Sequence, residues 1–473
     1  MRPTRWLTMW DRWVKKLHFV GIGGAGMSGI AEILAASGFI VTGSDLAESE
    51  TTNHLRLLGI PCTIGHDPKN VAGADVVVIS SAVGEDNPEV QAARAAHIPV
   101  IRRAEMLGEL MRLKFSIGIA GTHGKTTTTS MIGHILTRAG FDPTVIVGGR
   151  LINLDANAQL GQSQFLIAEA DEYDHSFLAL HPTVALATNL EEDHLDCYAD
   201  LADLQESFLA FFRRVPFYGT VLTNAQSPAL AAIASRIDRR HRTFGIGVNA
   251  DIVADALLVS ARSSRFDLLG DGERLGTVSV PLPGRHNAEN ALAACAVALE
   301  LEVPFAAIRD ALATFTSVGR RFEVKGSAAG VTIVDDYAHH PTEVRAALSA
   351  GRAWLEGKGR LLAVFQPHLY SRTQHFHREF AAALSAADGV ILAPIYAARE
   401  QPMVGVSSQL IADHLKGQSL PFGCLVADRL EAVPEFVVER VRPGDLVMTI
   451  GAGSIYRTGP EILARLRLEL VKA

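Results

Sequence analysis

The sequence predicts an α/β protein of three domains, and three observations support this prediction. A chain of 473 residues has room for about three domains of roughly 100–200 residues each. Two glycine-rich turns, starting at Gly21 and at Gly121, each follow an apolar run and precede a helical pattern. After Gly330, short apolar runs again alternate with helical stretches, which is typical of a parallel sheet covered on both faces.

The composition is that of an ordinary globular protein, with 48% hydrophobic and 20% charged residues. No run reaches the ~18 apolar residues that a bilayer-spanning helix requires, so we expect no membrane partner. The net charge of -7 argues against a nucleic-acid partner, which favours a basic surface. The 4 cysteines lie far apart without a CxxC pair, which fits a reducing cytoplasm better than a zinc ribbon or a disulfide scaffold.

Residues 1–14 are predicted to form an N-terminal extension ahead of a first domain at 15–112. The apolar run of the extension is too short for the hydrophobic region of a secretory signal, and the extension lacks a small-residue cleavage site. It could be an amphipathic interfacial turn, or an artefact of start-site choice with Met9 as the true start. The first domain opens with a strand at Leu17–Val20, a glycine turn, a helix over Met27–Ser37 and a second strand.

The first glycine turn satisfies the G-x-G-x-x-G pattern, from Gly21 to Gly26. Asp45 follows about 20 residues later, where a ribose-binding acid would stand. Taken alone, the pattern indicates NAD, and a turn that merely packs helix on strand is the alternative. Such a loop identifies a diphosphate more reliably than it identifies the nucleotide that carries it.

The second domain, predicted at 113–325, opens with the strand Phe115–Ala120, the turn GTHGKT and a helix over Thr127–Ala139. Backbone N–H groups of such a turn converge on a phosphate at the positive end of the helix. Lys125 would add a charge, and Thr126 a hydroxyl for Mg²⁺. The match to the strict P-loop pattern is imperfect because Ile119 stands at the first glycine position, so a chance turn rich in Gly and Thr is the alternative.

Acidic residues follow two successive apolar strands of this domain. Glu169, Asp171 and Glu172 come after the first, and the run from Asn189 to Asp196, which includes His194, comes after the second. Carboxylates suit Mg²⁺, and one imidazole is compatible with Mg²⁺ or Mn²⁺. Either cluster alone could be a solvated acidic loop, but two clusters at consecutive strand ends favour a metal site.

The third domain, predicted at 326–473, follows a hinge-like segment at 317–322 and carries several histidines just past its strand ends. Its predicted elements include strands at 331–334 and 446–450 and a helix near 374–384. His339, His368 and Arg372 could meet a substrate carboxylate there. A zinc site is conceivable, but the spacing of the ligands does not support it. Helix capping and ordinary surface histidines are the alternative.

Taken together, the motifs resemble the Mur ligases over nearly the whole chain, from Leu17 to the last helix. Five segments carry the resemblance: HFVGIGGAGMSGIA at 18–31, GTHGKTTTT at 121–129, GRHNAENALAA at 284–294, DDYAHHPTEV at 335–344 and FQPHLYSRT at 365–373. Their order and spacing along the chain make an accidental match to this family untenable.

The resemblance implies an N-terminal Rossmann-like domain that binds a UDP-sugar, a central P-loop ATPase domain and a C-terminal Rossmann-like domain that receives an amino acid. It implies a cytoplasmic enzyme, monomer or homodimer, that uses ATP and Mg²⁺, with Mn²⁺ as a possible substitute. The implied reaction joins L-alanine to the lactyl carboxylate of UDP-N-acetylmuramate through an acyl phosphate, for peptidoglycan synthesis. The first glycine loop would then hold the UDP diphosphate rather than a dinucleotide.

The resemblance also assigns roles to residues of this sequence. Catalytic roles fall on Lys125, His194, His339 and Arg372. ATP contacts fall on Gly121, Thr122, His123, Gly124, Lys125, Thr126, Thr127, His286, Asn287, Asn290, Arg320 and Asp335. Contacts with the other substrates fall on Gly23, Gly24, Ala25, Gly26, Met27, Asp45, Ser81, Tyr337, His339, His368 and Arg372. The metal ligands are Thr126, Glu169 and His194.

Two positions depart from the family pattern. Leu369 stands where many relatives have arginine, which bears on how the amino-acid carboxylate is held, and Tyr173 stands where serine is common. Three rival functions stay open at this point. They are a ligase of the same family that recycles a whole tripeptide, a nicotinamide oxidoreductase without evident hydride-transfer residues, and a P-loop switch or mechanical ATPase.

Overall fold

The structure is a computed structural model that describes residues 13–80, 82–151, 156–192, 197–316, 318–398, 400–416, 418 and 420–472. Most of the N-terminal extension, Ser81, His194 and the first residue of the hinge-like segment lie outside these ranges. The strands form three sheets of five, ten and six strands. The predicted α/β class is therefore confirmed, while the predicted domain boundaries stay predictions.

The first sheet is parallel, with the strand order β3-β2-β1-β4-β5. Its elements are β1 Lys16–Val20, α1 Ala25–Ala36, β2 Ile40–Asp45, α2 Glu50–Leu57, β3 Cys62–Ile64, β4 Val76–Ile79, α3 Pro88–Ala95, β5 Val100–Arg102 and α4 Arg103–Arg112. The order reverses between β1 and β4, and ligands of such sheets bind at the carboxyl ends of the strands at this reversal. The first glycine loop lies there.

The second sheet has the order β15-β14-β13-β12-β11-β10-β6-β9-β7-β8. Its elements are β6 Phe115–Ala120, α5 Lys125–Arg138, β7 Thr144–Leu151, β8 Ala156–Gln159, β9 Phe165–Glu169, β10 Val184–Ala187, α6 Leu201–Phe212, β11 Thr220–Asn224, α7 Pro228–Ile233, β12 Arg240–Ile246, β13 Ile252–Val259, β14 Ser264–Gly270, β15 Glu273–Val280, α8 Arg285–Glu300 and α9 Phe305–Ala313. β6 runs parallel to both of its neighbours, β9 and β10, so the turn after β6 lies beside the acidic strand ends.

The third sheet has the order β16-β17-β21-β18-β19-β20. Its elements are β16 Glu323–Ala328, β17 Val331–Asp336, α10 Pro341–Leu355, β18 Leu361–Phe365, α11 Tyr370–Leu384, β19 Gly389–Leu392, α12 Gln409–Leu415, β20 Cys424–Val426, α13 Val433–Val438, β21 Leu446–Ile450 and α14 Thr458–Lys472. Only β16 among these strands pairs antiparallel, with β17. Apolar clusters cover both faces of the sheet.

The described contacts group the chain into two compact units. The first comprises 1–255, 267–277 and 290–312, and the second comprises 256–266, 278–289 and 313–473. The first two sheets fall mainly in the first unit, and the third sheet falls in the second.

A buried carboxylate joins the strands beneath the first glycine loop. Glu89 is fully buried, and its Oε2 accepts hydrogen bonds from the Ser44 hydroxyl at 2.6 Å and contacts His18 Nε2 at 3.2 Å. Its Oε1 accepts from Asn70 Nδ2 at 2.5 Å. Burial alone would raise the pKa of this acid, but these hydrogen bonds lower it to about 2. The ionised carboxylate thus ties β1, β2 and the segment after β3 together.

Candidate active site

The turn between β6 and α5 has a backbone that only glycine fits at two positions. Gly121 has φ 130° and Gly124 has φ 82°, in the region that other residues avoid. A Cβ at Gly121 would lie 2.1 Å from Thr188 Oγ1, and one at Gly124 would lie 2.3 Å from Asn290 Oδ1. The absence of these side chains lets the turn pack directly against Thr188 and Asn290. The turn leads into the N-terminus of α5, where an anion is favoured.

The end of β10 holds the same turn from the other side. The Thr188 hydroxyl donates to the His123 carbonyl at 2.6 Å, and the His123 N–H donates to Asn189 Oδ1 at 2.9 Å. The Glu191 N–H donates to Thr122 Oγ1 at 2.9 Å. Side chains from a neighbouring strand thus fix the loop conformation. The sequence did not predict that Thr188 and Asn189 hold the loop, because nothing in their spacing marks this role.

Lys125 is the cation of this loop. Its Nζ donates to the Gly121 carbonyl at 2.7 Å and to Glu172 Oε2 at 2.8 Å, and lies 3.4 Å from Asp171 Oδ1. Burial would lower the pKa of this ammonium, but the charges of Glu172, Asp171 and Glu169 outweigh burial and raise it. Lys125 is therefore positively charged throughout the physiological range, as contact with phosphate oxygens requires.

The oxygen donors beside the loop fit a magnesium ion. Glu169 ends β9 in register with Ile119 of β6, and its charge acts on Lys125. Thr126 lies in the first turn of α5. A carboxylate and a hydroxyl are hard ligands of the kind that Mg²⁺ selects. The third predicted ligand, His194, lies outside the described residues. Thr127, also predicted to contact ATP, is largely buried in α5.

The first glycine loop is held by the end of β2. The N–H groups of Gly21 and Ile22 donate to the Ser44 carbonyl at 2.9 and 3.0 Å, and the Gly23 N–H donates to Asp45 Oδ2 at 2.8 Å. Asp45, chosen for its sequence distance from the loop, thus contacts the loop directly.

The helix that follows this loop supplies the other predicted contacts. Gly24 is the N-cap of α1, and Ala25 and Gly26 form its first turn. The Met27 side chain is buried in the core, and its N–H donates to the Gly24 carbonyl at 2.9 Å. Ser81, the remaining predicted contact in this region, lies outside the described residues.

Three residues that are predicted to contact ATP, His286, Asn287 and Asn290, lie on α8. In the second unit, His286 and Asn287 lie in its first turn, and Asn287 Nδ2 donates to the Pro283 carbonyl at 2.7 Å. Burial, together with the positive charge of Arg321, lowers the pKa of His286 to about 4, so its imidazole is neutral at pH 7. In the first unit, Asn290 Oδ1 lies 3.3 Å from Thr128 Oγ1.

Arg320 and Asp335 form an ion pair in the second unit, in which the carboxylate is buried and the guanidinium is partly exposed. Arg320 Nε donates to Asp335 Oδ2 at 3.0 Å, and the Thr449 hydroxyl donates to Asp335 Oδ1 at 2.6 Å. The guanidinium also lies over the rings of Tyr337 and Tyr456, at 4.8 and 4.6 Å. Burial raises the pKa of Asp335, and Arg320 opposes the shift. The sequence placed Asp335 past a strand end, but it lies within β17, because the pairing of β17 with β21 continues to Asp336.

The residues predicted to receive the amino acid form a row of rings. Tyr337 and His339 have ring centroids 5.5 Å apart, and His339 and His368 are 6.0 Å apart. His368 stacks on Tyr396 at 5.6 Å, a neighbour that the sequence did not reveal. His339 Nδ1 lies 3.3 Å from Glu343 Oε2.

Arg372 is buried in the first turn of α11. This helix begins at Tyr370, four residues before its predicted start near Gln374. Leu369 precedes it with φ 69°, an unusual value for a non-glycine residue, and its N–H donates to the Tyr396 carbonyl at 3.0 Å. The apolar side chain at this position is buried.

Comparisons with known proteins agree with this organisation. The catalytic domain of the Mur ligase family matches residues 16–115, the Mur ligase middle domain matches 119–298, and the Mur ligase glutamate ligase domain matches 320–453. The UDP-N-acetylmuramate--L-alanine ligase of Geobacter sulfurreducens is 49% identical over 455 residues, covering 96% of this chain and 98% of that protein.

Solved structures show the same fold. The UDP-N-acetylmuramate-alanine ligase of Thermotoga maritima superposes with a TM-score of 0.80 at 29% identity, covering 96% of this chain and 99% of that chain. A murein peptide ligase from Psychrobacter arcticus superposes with a TM-score of 0.69 at 23% identity, covering 96% and 99%. With three family domains matched in order and a nearly full-length relative at 49% identity, the chain belongs to the Mur ligase family.

Proposed function

We propose that this protein is an ATP-dependent ligase that joins L-alanine to the lactyl carboxylate of UDP-N-acetylmuramate, with release of ADP and phosphate, in the synthesis of peptidoglycan precursors. The observation that carries the proposal is that one compact unit holds two glycine loops of different character. The first residue after one loop is Lys125, which pairs with buried Glu172. The other loop donates its Gly23 N–H to Asp45 at the end of β2. The G. sulfurreducens relative bears the name of this activity over nearly the same length.

The chemistry explains why such an enzyme needs a triphosphate. A carboxylate and an amine do not condense in neutral water because the carboxylate is a poor electrophile. Transfer of the γ-phosphoryl group to the lactyl carboxylate gives an acyl phosphate, whose carbonyl carbon the amine of L-alanine can attack with expulsion of phosphate. Lys125 would neutralise the crowded phosphate oxygens during the transfer, as cations do in other phosphoryl-transfer enzymes.

A divalent ion belongs to the same proposal. Thr126 and Glu169 would hold Mg²⁺, and His194 is proposed as a further ligand on the basis of family resemblance. The ion would reduce repulsion between the attacking carboxylate and the phosphates. Mn²⁺ would serve as a substitute because it accepts the same oxygen ligands together with imidazole.

The second unit would recognise the remaining parts of the substrates. On the basis of the family resemblance, we assign His286, Asn287 and Asn290 to the adenine side of ATP. The pair Arg320 and Asp335 is assigned to its phosphates and ribose. Tyr337, His339, His368 and Arg372 are assigned to L-alanine, with Arg372 facing the carboxylate. His339 is our candidate for the base that deprotonates the amine, since its partner Glu343 would stabilise the imidazolium that results.

Location and assembly follow from the same assignment. Among the helices that the structure describes, none combines the length and the apolar character that crossing a bilayer would need. We propose that the enzyme works in the cytoplasm, where ATP and nucleotide sugars are available, as a monomer or a homodimer.

Product identification tests the proposal directly. The protein is incubated with ATP, Mg²⁺, UDP-N-acetylmuramate and a mixture of amino acids, and the products are identified by mass. We expect a single new compound with the mass of the alanyl conjugate and stoichiometric ADP. Conjugation of the tripeptide L-Ala-D-Glu-diaminopimelate in preference to L-alanine would instead indicate the recycling ligase, and ATP hydrolysis that ignores both acceptor and amino acid would refute a ligase function.

A further inference from the structure

The first glycine loop lacks a cation of its own. No lysine or arginine occurs between Lys16 and Arg56, whereas the ATP loop contains Lys125. The first glycine loop also lies beside a negative charge, because the Asp45 carboxylate accepts a hydrogen bond from the Gly23 N–H. A nucleotide diphosphate carries at least two negative charges, and helix-dipole stabilisation alone is modest. A loop that binds a diphosphate beside a carboxylate therefore needs a positive charge from another part of the fold.

Arg103 is the residue that the fold brings to this loop. It is the first residue of α4, directly after β5, and the sheet places the carboxyl ends of β1, β4 and β5 along the same edge. A Cβ built on Gly26 would lie 2.7 Å from Arg103 Nη1 and 3.2 Å from its Cζ. The guanidinium thus packs directly against the first turn of α1, and it does so because position 26 has no side chain.

Among the residues that the structure describes, Arg103 has no anionic partner, unlike Arg102 and Arg112. Arg102 lies 3.5 Å from Asp174 Oδ2, and Arg112 lies 3.5 Å from Glu109 Oε1. Within the described part of the chain, the Arg103 guanidinium makes no hydrogen bond or ion pair, although the residue is only partly exposed. A half-buried guanidinium normally finds an acceptor, so an unpaired one at a phosphate-type loop indicates that the acceptor is a ligand.

The backbone that carries Arg103 is firmly held. The Arg102 N–H donates to Glu105 Oε2 at 2.6 Å, which caps α4. Further along the helix, a Cβ at Gly108 would lie 2.2 Å from the Ala179 carbonyl oxygen, so α4 packs very closely on the 3-10 helix Tyr173–Ala179. Met106, Leu107 and Leu110 are buried. The guanidinium is therefore presented from a rigid helix, which reduces the entropy lost on binding.

We propose that Arg103 is a substrate-binding residue that contacts the diphosphate of the nucleotide sugar at the first glycine loop. This inference rests on the proposed function, which assigns the diphosphate to that loop. Guanidinium matches phosphate oxygens in a bidentate manner, and a charge-assisted contact of this kind changes affinity by about tenfold to a hundredfold.

Calorimetric titration tests the inference with four proteins: wild type, Arg103→Met, Arg103→Lys and the matched control Arg102→Met. Each is titrated separately with UDP-N-acetylmuramate and with ATP, at two salt concentrations. For Arg103→Met we expect the Kd for the nucleotide sugar to rise by about tenfold to a hundredfold, and its salt dependence to flatten because one ion pair is lost. Arg103→Lys should lose less affinity, and Arg102→Met should match the wild type. The Kd for ATP should stay constant throughout.

Two results would overturn the inference. One is a wild-type Kd for the nucleotide sugar in Arg103→Met. The other is an equal loss of affinity for both ligands in Arg103→Met and Arg103→Lys, which would mean that the residue only supports the fold. Failure of the proposed function has a different signature, because the wild-type protein itself would then not bind UDP-N-acetylmuramate.

Discussion

Lys125 shows how a single residue links the electrostatics of the site to its chemistry. Its ammonium lies between the Gly121 carbonyl and Glu172, a carboxylate that is only 1% exposed. The pair is stable because each charge compensates the burial of the other. The lysine could be predicted from the GTHGKT turn, but its partner could not be chosen among three nearby acids until the strand ends were placed in space.

Replacing Lys125 by alanine should abolish most ligase activity. We expect kcat to fall by about a hundredfold to a thousandfold, as when one oriented electrostatic contact to a transition state is lost. Phosphate release that depends on both UDP-N-acetylmuramate and L-alanine measures the effect. Lys69→Ala, a change at an exposed position, is the control, and retention of most activity in Lys125→Ala would contradict the assignment.

Glu89 provides a test of stability against pH. Its pKa in the folded protein is about 2, below the ordinary value of 4.5 for a glutamate. A depressed pKa contributes stability that is present above the unfolded value and is lost as pH falls towards the folded value. The shift corresponds to about 3 kcal/mol.

The measurement is urea unfolding of the wild type and of Glu89→Gln between pH 3 and pH 7. The difference in the free energy of unfolding should be constant from pH 7 to about pH 5 and should shrink below that. Glu85→Gln, at an exposed acid that pairs with Arg94, should show a much smaller difference. A difference for Glu89→Gln that does not vary with pH would contradict the ionised state of this carboxylate.

At the scale of elements, the turn before α5 depends on glycine for two separate reasons. Gly124 has a positive φ, and its missing Cβ leaves room for Asn290. Gly140, two residues beyond the last residue of α5, has nearly the same φ of 84° but no atom within 4 Å of a built Cβ. A side chain at Gly140 would therefore cause backbone strain only, whereas one at Gly124 would cause backbone strain and a steric clash with Asn290.

Alanine at these two positions should give different results. Gly140→Ala should cost about 1 kcal/mol of stability through backbone strain alone and should leave the Kd for ATP unchanged. Gly124→Ala should cost more, because Asn290 must move, and should weaken ATP binding at least tenfold. Chemical denaturation and calorimetry measure the two effects. Equal losses in both variants would show that the contact with Asn290 is unimportant.

The sequence predicted elements well where a local pattern determines them. The strands β6 and β21 match their predicted ranges, and β1 begins one residue before its predicted start, because apolar runs ending in glycine turns are strong local signals. The start of α11 was misplaced, because Leu369 adopts a positive φ that no pattern of side chains announces.

At the scale of the whole molecule, neither the order of the strands nor the partners of the site residues could be predicted from the sequence. Thr128 meets Asn290 across 162 positions, and Arg103 meets Gly26 through the arrangement of an entire sheet. Such pairs depend on tertiary packing, which no local periodicity encodes. What could be predicted was the type of each loop, and what could not was the set of side chains that complete it.

The close packing of α4 on Tyr173–Ala179 has a consequence for the energetics of the two loops. One rigid helix presents Arg103 to the first loop and touches, at Gly108, the segment directly after the acids that hold Lys125. We expect this shared element to make the two nucleotides bind cooperatively. The factor by which the nucleotide sugar changes the Kd for a non-hydrolysable ATP analogue must then equal the factor by which the analogue changes the Kd for the sugar. If both factors equal one, the two nucleotides bind independently, and α4 does not couple the two sites.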